Sequence, residues 1–90
     1  MAKAFRHWER VVRGFANHRR IEVMDLLESE PELDLREIAR RCAINYKTAS
    51  EHLRRLTVAG LVTKRAKGTH VLHVLSPRGK KVLMFLRTLD

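Results

Sequence analysis

Four hydrogen-bonding side chains share one face of a helix predicted near the middle of this 90-residue sequence. Their spacing of i, i+1, i+4 and i+8 brings them together on that face. Side chains of these types donate hydrogen bonds to the base edges and phosphates of a DNA major groove. An ordinary solvent-facing helix surface is the alternative that the same pattern allows. The four residues are Tyr46, Lys47, Ser50 and Arg54.

The helix that carries this face is the second of a predicted pair. Asn45 is a good N-cap and Gly60 a good stop for it, so we expect it to occupy residues 45–59. Its inward stripe, at helical spacing on the opposite side, is Ala49, Leu53 and Leu56.

A shorter helix precedes it, with Asp34 as the expected N-cap and Glu37 at the spacing of an acidic capping box. Ala43-Ile44 forms the turn, so the pair predicts a helix-turn-helix. The inward face of the shorter helix is Leu35, Ile38, Ala39 and Cys42.

Two strand-like runs, Leu61–Arg65 and His70–Leu75, follow the second helix at once. The loop between them, Ala-Lys-Gly-Thr, contains Gly68, which permits a hairpin turn. A helix-turn-helix followed directly by a basic hairpin is a winged helix. We therefore predict a mainly α chain with a small β-hairpin wing at residues 64–70, of the α+β class. Leu33 or Leu35 is expected to add a short strand beside the wing.

Apolar helices are predicted at both ends of the chain, in residues 1–15 and 76–90, with Ser76 and Pro77 starting the second of them. The aromatic N-terminal stripe could pack on its own core or form half of a dimer seam. The N-terminal and C-terminal helices can bury their apolar faces against each other and against the same helices of a second copy. This arrangement favours the seam and predicts a two-fold dimer. The expected interface residues are Phe5, Trp8, Val12, Val82, Phe85, Leu86 and Leu89.

A further helix, capped by Asn17 and ended by Pro31, is expected to supply the centre of the core. Gly14 reduces the expectation that the N-terminal helix continues into it. Arg19 and Arg20 lie in its first turn, where the helix dipole disfavours positive charge. Either they have another use, such as a phosphate contact, or they are simply tolerated.

Positive charge dominates the chain, with a formal net charge of +9 and a pI near 10.9, which implies a polyanionic partner. The net charge is +5 in residues 1–21, −6 in 22–37, +4 in 38–60 and +6 in 61–90. A molecule with one basic and one acidic side would bind DNA with a preferred face. Acidic residues that merely offset excess charge are the alternative.

Length and composition predict a single domain over residues 1–90. No apolar run approaches the roughly 18 residues of a membrane span, and the first ten residues lack the apolar core of a signal peptide. A single cysteine fits a reducing cytoplasm, where a DNA-binding protein would associate with a prokaryotic nucleoid. The sequence contains no phosphate loop, nucleophile elbow or paired-carboxylate motif. We therefore predict that the chain is not an enzyme and binds no cofactor.

The segment IAxxCAINYKTASEHLRRLTVAGLV and the hairpin KRAKGTH resemble the ArsR-type winged helix-turn-helix repressors, over about residues 15–90. The Ser-Pro-x-Gly-x-x-x-Leu ending at residues 76–83 is similar to the last helix entry of MarR- and PadR-like proteins. The resemblance implies a regulator whose partner is double-stranded DNA. Matches to the family pattern S-x-x-T-x-S-x-H-L-x-x-L-x-x-A-G-L-V are Thr48, Ser50, His52, Leu53, Leu56, Ala59, Gly60, Leu61 and Val62.

Three departures from that pattern matter. Ala43 stands where the family often has Gly, and a left-handed non-Gly residue costs on the order of 1 kcal/mol, so we expect a differently shaped turn. Asn45 stands where Ser is common, which keeps the cap. Tyr46 and Lys47 replace the usual Gln and Ser, so no operator preference carries over.

Metal-responsive relatives of this family use several Cys and His residues, and this sequence offers few. Cys42 stands alone on an apolar helix face, and His70 and His73 should face opposite sides of a strand. A site shared across a dimer, from His7, His18 or Cys42, is the alternative. We predict no metal and identify no small-molecule ligand.

The sequence thus predicts a homodimeric, sequence-specific repressor, with the recognition helix in the major groove and the wing on flanking backbone or minor groove. A non-specific chromatin-like protein and a winged-helix protein-interaction module are the alternatives, and the wing charges could merely protect an edge strand. The predicted DNA-binding residues are Asn45, Tyr46, Lys47, Thr48, Ser50, Glu51, Arg54, Arg55, Lys64, Arg65, Lys67, Thr69 and His70.

Overall fold

The computed structural model describes residues 2–90, with side chains described from residue 4 onward. Its strands form one antiparallel sheet in the order β1-β3-β2. The predicted winged helix-turn-helix architecture, including the short strand before the helix-turn-helix, is confirmed. The elements in chain order are α1 (Ala2–Phe15), α2 (His18–Ser29), β1 (Leu33–Asp34), α3 (Leu35–Arg41), α4 (Tyr46–Val58), β2 (Val62–Lys67), β3 (His70–Leu75) and α5 (Pro77–Arg87).

Side-chain caps begin four of the helices where the sequence predicts them. Each capping oxygen lies 2.7 to 3.2 Å from a backbone N–H of the first turn. The capping box of α3 is only half formed, because the Glu37 carboxylate pairs with Arg40 and Arg41. The capping residues are Asn17, Asp34, Asn45 and Ser76.

The turn between α3 and α4 corrects one expectation from the sequence. Ala43 adopts the left-handed conformation itself, with φ of 54°. The Ile44 N–H donates to the Ala39 carbonyl at 3.0 Å and the Ala43 N–H to the Arg40 carbonyl at 3.2 Å, which is the Schellman pattern of helix ends. The turn therefore keeps the shape that a glycine would give it, because these two bonds hold Ala43 there.

The wing is tighter than predicted. Lys67 pairs with His70, which leaves Gly68 and Thr69 as a two-residue loop instead of the expected four. Gly68 has φ of 61°, as a type II′ hairpin turn requires at its first position. β2 begins one residue late because the Leu61 N–H donates to the Leu56 carbonyl in the helix end of α4.

The core lies between α2, the inward faces of α3 and α4, and the sheet. Its three α2 members, Val23, Met24 and Leu27, are at most 1% exposed. The inward stripes predicted for α3 and α4 are buried as well, apart from the half-buried Leu35. The remaining core members are Ile38, Cys42, Leu53, Leu56, Ala59, Leu61, Val62, Leu75 and Leu83.

Gly14 sets the distance between α1 and α4. A Cβ atom at this position would lie 2.3 Å from the Cβ of Ala59. Helix α1 runs through Gly14 to Phe15, so the glycine serves close helix packing. This contact places α1 against the C-terminal half of α4.

Arg19 and Arg20 are held by contacts within the chain. Arg19 Nη1 lies 3.3 Å from the Cys42 carbonyl, at the end of α3, and 3.1 Å from Glu22. Arg20 Nη1 donates to the Gly14 carbonyl at 3.1 Å. These two arginines therefore link the start of α2 to the ends of α3 and α1, a use that the sequence had left open.

Candidate nucleic-acid interface

The outward face of α4 is held in place by the burial of its opposite side. Ala49, Leu53 and Leu56 are at most 2% exposed, so the helix cannot rotate without exposing them. Lys47 and Ser50 consequently face solvent, and together with Tyr46 and Glu51 they border one shallow surface depression. The Tyr46 side chain is 58% exposed.

The N-terminal end of this helix is fixed by Asn45. Its Oδ1 accepts the backbone N–H of Thr48 at 2.7 Å, while both residues remain exposed. The side-chain oxygen of Asn45 is thus occupied by the cap, and its amide NH₂ is the group left to meet a ligand.

Glu51 clamps two arginines on the same face. Its carboxylate accepts hydrogen bonds from Arg54 Nη2 at 2.8 Å and from Arg55 Nε at 3.0 Å. Hydrogen bonding to Arg54, reinforced by the charge of Arg54 and by Arg55, lowers the pKa of Glu51 to about 2. The carboxylate is therefore ionised at neutral pH and holds both guanidinium groups beside the outward polar face of α4, which we call the recognition face.

The predicted wing residues are all exposed and lie in β2, in β3 or in the loop between them. Arg65 forms an ion pair with Glu32. His70 Nδ1 lies 3.6 Å from Asp34 Oδ2. Lys64 and Lys67 form no ion pair with any part of the chain that the structure describes, which leaves two wing ammonium groups for an external anion.

A cleft of about 590 Å³ separates the recognition helix from the wing. Tyr46 borders it on one side and Lys64, Thr69 and His70 on the other, so the tertiary structure brings these predicted residues together. Arg36, at the start of α3, borders the same cleft. Sequence reasoning missed Arg36, although its position off the apolar stripe of α3 was a usable signal.

His73 is buried in the wing, with only 4% of its surface exposed, whereas His70 is exposed. The two histidines thus face opposite sides of β3, as predicted. His73 Nδ1 lies 3.2 Å from the Leu33 carbonyl, which can only accept, so Nδ1 carries the proton. Burial lowers the pKa of His73, and the nearby Lys64 charge adds to this effect. His73 therefore ties β3 to β1 as a neutral side chain.

The acidic segment of the sequence is largely paired with arginines. Asp25 and Glu28 both accept from Arg87 Nη2, at 3.0 and 2.6 Å, which joins α2 to α5. Glu30 pairs with Arg41 of α3. The acidic residues thus fasten helices together besides offsetting charge.

Four of the predicted dimer residues border one groove between α1 and α5, of about 420 Å³: Trp8, Val12, Val82 and Phe85. Phe5 packs edge-on against Trp8, with ring centroids 5.7 Å apart, and is 61% exposed. Leu89 is 64% exposed near the end of the chain. Leu86 lies elsewhere, half-buried in a cleft against α2.

The histidines and the cysteine considered as metal ligands are dispersed. Cys42 is buried in the core, and burial raises the pKa of its thiol. His7 borders the groove between α1 and α5, whereas His18 borders the cleft between α2 and α5. Among the described residues no three His, Cys, Asp or Glu side chains are grouped to hold a metal ion.

No helix in the described part of the chain is long and apolar enough to cross a membrane.

A capped recognition helix with an exposed polar face, next to a basic wing, defines a winged helix-turn-helix DNA-binding domain. The family model described as "Bacterial regulatory protein, arsR family" matches residues 17–64, more than half of the chain. The chain belongs to this family of transcriptional regulators. Comparison with curated proteins gave no match.

Solved structures support the assignment. The chain is 28% identical, with a TM-score of 0.88, to the homodimeric winged helix-turn-helix DNA-binding domain of Mb0332 from Mycobacterium bovis, described as a possible ArsR-family transcriptional regulator. That match covers 98% of this chain and 82% of the other. Reduced HlyU from Vibrio cholerae is also 28% identical, with a TM-score of 0.83 and coverage of 99% and 94%. NolR from Sinorhizobium fredii, 21% identical over 98% and 88% of the chains with a TM-score of 0.88, shares the fold.

Proposed function

We propose that this chain acts as a homodimeric, sequence-specific regulator that binds double-stranded DNA and represses transcription by occluding a promoter. In this proposal residues 1–90 act as one DNA-binding domain at the nucleoid. The exposed face of α4 enters the major groove, and the wing lies on flanking backbone or minor groove. The observation that carries the proposal is the outward face of Tyr46, Lys47 and Ser50 on a helix capped by Asn45 and anchored by the core.

Dimerisation is supported by the exposed apolar side chains at the groove between α1 and α5. Trp8 and Phe85 are 58% and 59% exposed, which is unusual for such large apolar residues clustered in one place. Mb0332, the neighbour from M. bovis, is homodimeric. A two-fold dimer would present two recognition helices to successive major grooves about 34 Å apart.

The proposal is tested by fluorescence anisotropy of the purified protein on a labelled duplex from upstream of its own gene, beside a scrambled duplex, at several salt concentrations. We expect a preference on the order of 10³ or more for the upstream duplex, within the range of specific binders. Equal, steeply salt-dependent binding to both duplexes, repeated in a selection from random duplexes, would indicate a non-specific protein. Absence of binding at low salt would favour a protein-interaction module.

Variants separate base reading from backbone contact. Ser50→Ala and Tyr46→Ala should change the order of preference among duplexes, because those side chains face the base edges in this proposal. Lys67→Gln should weaken binding to all duplexes alike and reduce the salt slope by about 0.9. Lys80→Gln, the same charge change on the exposed surface of α5, is the matched control for Lys67.

A further inference from the structure

Five arginines surround a small pocket between the C-terminal half of α1 and the C-terminal half of α4. We call this feature the arginine pocket; its volume is about 210 Å³. Its lining includes Gly14 and Ala59, the pair whose close approach brings the two helices together. The five arginines are Arg10, Arg13, Arg20, Arg54 and Arg55.

The position of Arg20 is set by the end of α1. Its Nη1 donates to the carbonyls of Arg13 and Gly14, at 3.3 and 3.1 Å, where the helix has unsatisfied acceptors. Its Nε is buried and has no acceptor among the described residues. Burial, and next the positive charge of Arg55, lower the pKa of Arg20. The positive charge of the Arg20 guanidinium is therefore not fully balanced by its surroundings.

The carboxylates beside the pocket do not balance its charge. Glu51 is shared between Arg54 and Arg55. Glu9 pairs with Arg13 at 3.4 Å, on the exposed surface of α1. Arg10 and Arg20 form no ion pair with any carboxylate in the described part of the chain. Five guanidinium groups therefore face two carboxylates, which creates a locally positive cavity.

We propose that the arginine pocket binds a phosphate group. Guanidinium groups match phosphate oxygens with paired, charge-assisted hydrogen bonds, and five of them converge here from the three helices α1, α2 and α4. The pocket is smaller than the roughly 300 to 1,000 Å³ of small-molecule sites, so it suits a phosphate group better than a whole nucleotide.

Two sources offer this chemistry. Arg54 lies one helical turn after Ser50, so the pocket adjoins the end of the recognition face, where a backbone phosphate of bound DNA could enter it. In that form the inference rests on the proposed function. A small phosphate ester free in solution presents the same group and would bind without DNA.

The first experiment measures phosphate binding without DNA. Inorganic phosphate is titrated into the ¹⁵N-labelled full chain at constant ionic strength, and the arginine Nε–Hε NMR signals are followed. We expect saturable shifts at Arg20, Arg54 and Arg55, with an affinity about tenfold weaker in Arg10→Gln. Arg6→Gln, one turn earlier on α1 and outside the pocket, removes the same charge and should leave the affinity unchanged.

The second experiment measures the slope of log affinity against log salt on duplex DNA for the same variants. If the source is the DNA backbone, Arg10→Gln lowers the slope by about 0.9 and Arg6→Gln does not. If the source is a free phosphate ester, the phosphate affinity falls in Arg10→Gln while the DNA slope stays constant. A protein that fails to bind DNA would refute the proposed function, and the phosphate titration would still decide the inference.

The inference is overturned if the wild-type signals show no saturable response to phosphate and the two variants have equal DNA slopes. Equal losses in Arg10→Gln and Arg6→Gln, in either experiment, would also overturn it, because diffuse charge would then explain the binding. Both substitutions lie on the exposed surface of α1, so circular dichroism should show unchanged folding.

Discussion

The groove between α1 and α5 offers a decisive test of the dimer through Phe85→Glu. Phe85 borders this groove and is 59% exposed in the single chain. The substitution removes an aromatic contact and places a carboxylate in the proposed seam. Lys81, one helical turn earlier, can pair with that carboxylate in the monomer, so the fold itself should persist.

The size of the effect follows from the exposed area. A buried phenylalanine covers roughly 200 Å², so about 120 Å² of Phe85 remains for a partner to cover. At about 25 cal/mol per Å² this is about 3 kcal/mol for each copy and about 6 kcal/mol for a two-fold dimer. Buried area converts incompletely to binding free energy. Even so, the loss of half of these 6 kcal/mol, about 3 kcal/mol, would raise the dimer Kd more than about 100-fold.

Sedimentation equilibrium over a range of protein concentrations measures this change directly. Met84→Glu is the matched control, because Met84 is 68% exposed on the same helix, does not border the groove, and follows Lys80 by one turn. We expect Phe85→Glu to be monomeric where the wild type and Met84→Glu are dimeric. Equal dimer Kd values for the wild type and Phe85→Glu would refute the seam, and a monomeric wild type would refute the dimer.

Two further predictions concern stability. His73 has a lowered pKa in the folded chain, so the unfolded state binds more protons between that pKa and about 6.5, and stability should fall as pH drops below about 6.5. His52, whose pKa is also lowered by burial, contributes in the same direction. His73→Asn keeps a donor for the Leu33 carbonyl but does not titrate. In urea unfolding at pH 7.5 and 5.5, the free energy of unfolding should therefore change less with pH in this variant than in the wild type. An equal change in both proteins would exclude His73 as a source of the pH dependence. Ala43→Gly should raise the free energy of unfolding by about 1 kcal/mol, because Ala43 stands at a positive φ that glycine adopts without strain. A lower thermal midpoint for this variant would contradict that reasoning.

Much of the helix-turn-helix was predictable because its signals are local. Asp34 and Asn45 each satisfy a backbone N–H three residues ahead, a geometry that depends only on adjacent sequence. The turn was misjudged at Ala43, because propensity alone disfavours a left-handed alanine. The hydrogen bonds of Ile44 and Ala43 to the end of α3 decide that conformation.

The candidate site was predictable only in part. The outward face of α4 follows from the helical period, since Ala49 and Leu53 must point inward. The use of each charge does not follow, because ion pairs such as Arg65 with Glu32 join residues far apart in the chain. The helical period places Arg36 off the apolar stripe of α3, but only tertiary packing brings it to the wing cleft.

By itself, the sequence determined where four helices begin, which face of α4 points outward, the presence of a hairpin and the positive charge of this ArsR-family regulator. These properties depend on periodicity, capping residues and composition, which act over a few neighbouring residues. The tertiary structure alone decided that Gly14 lets α1 approach Ala59, and that Arg10 and Arg20 then meet Arg55 around one pocket. Those contacts form only when the core brings distant segments of the chain together. Hydrophobic burial is non-directional, so the close packing of side-chain shapes decides which segments meet.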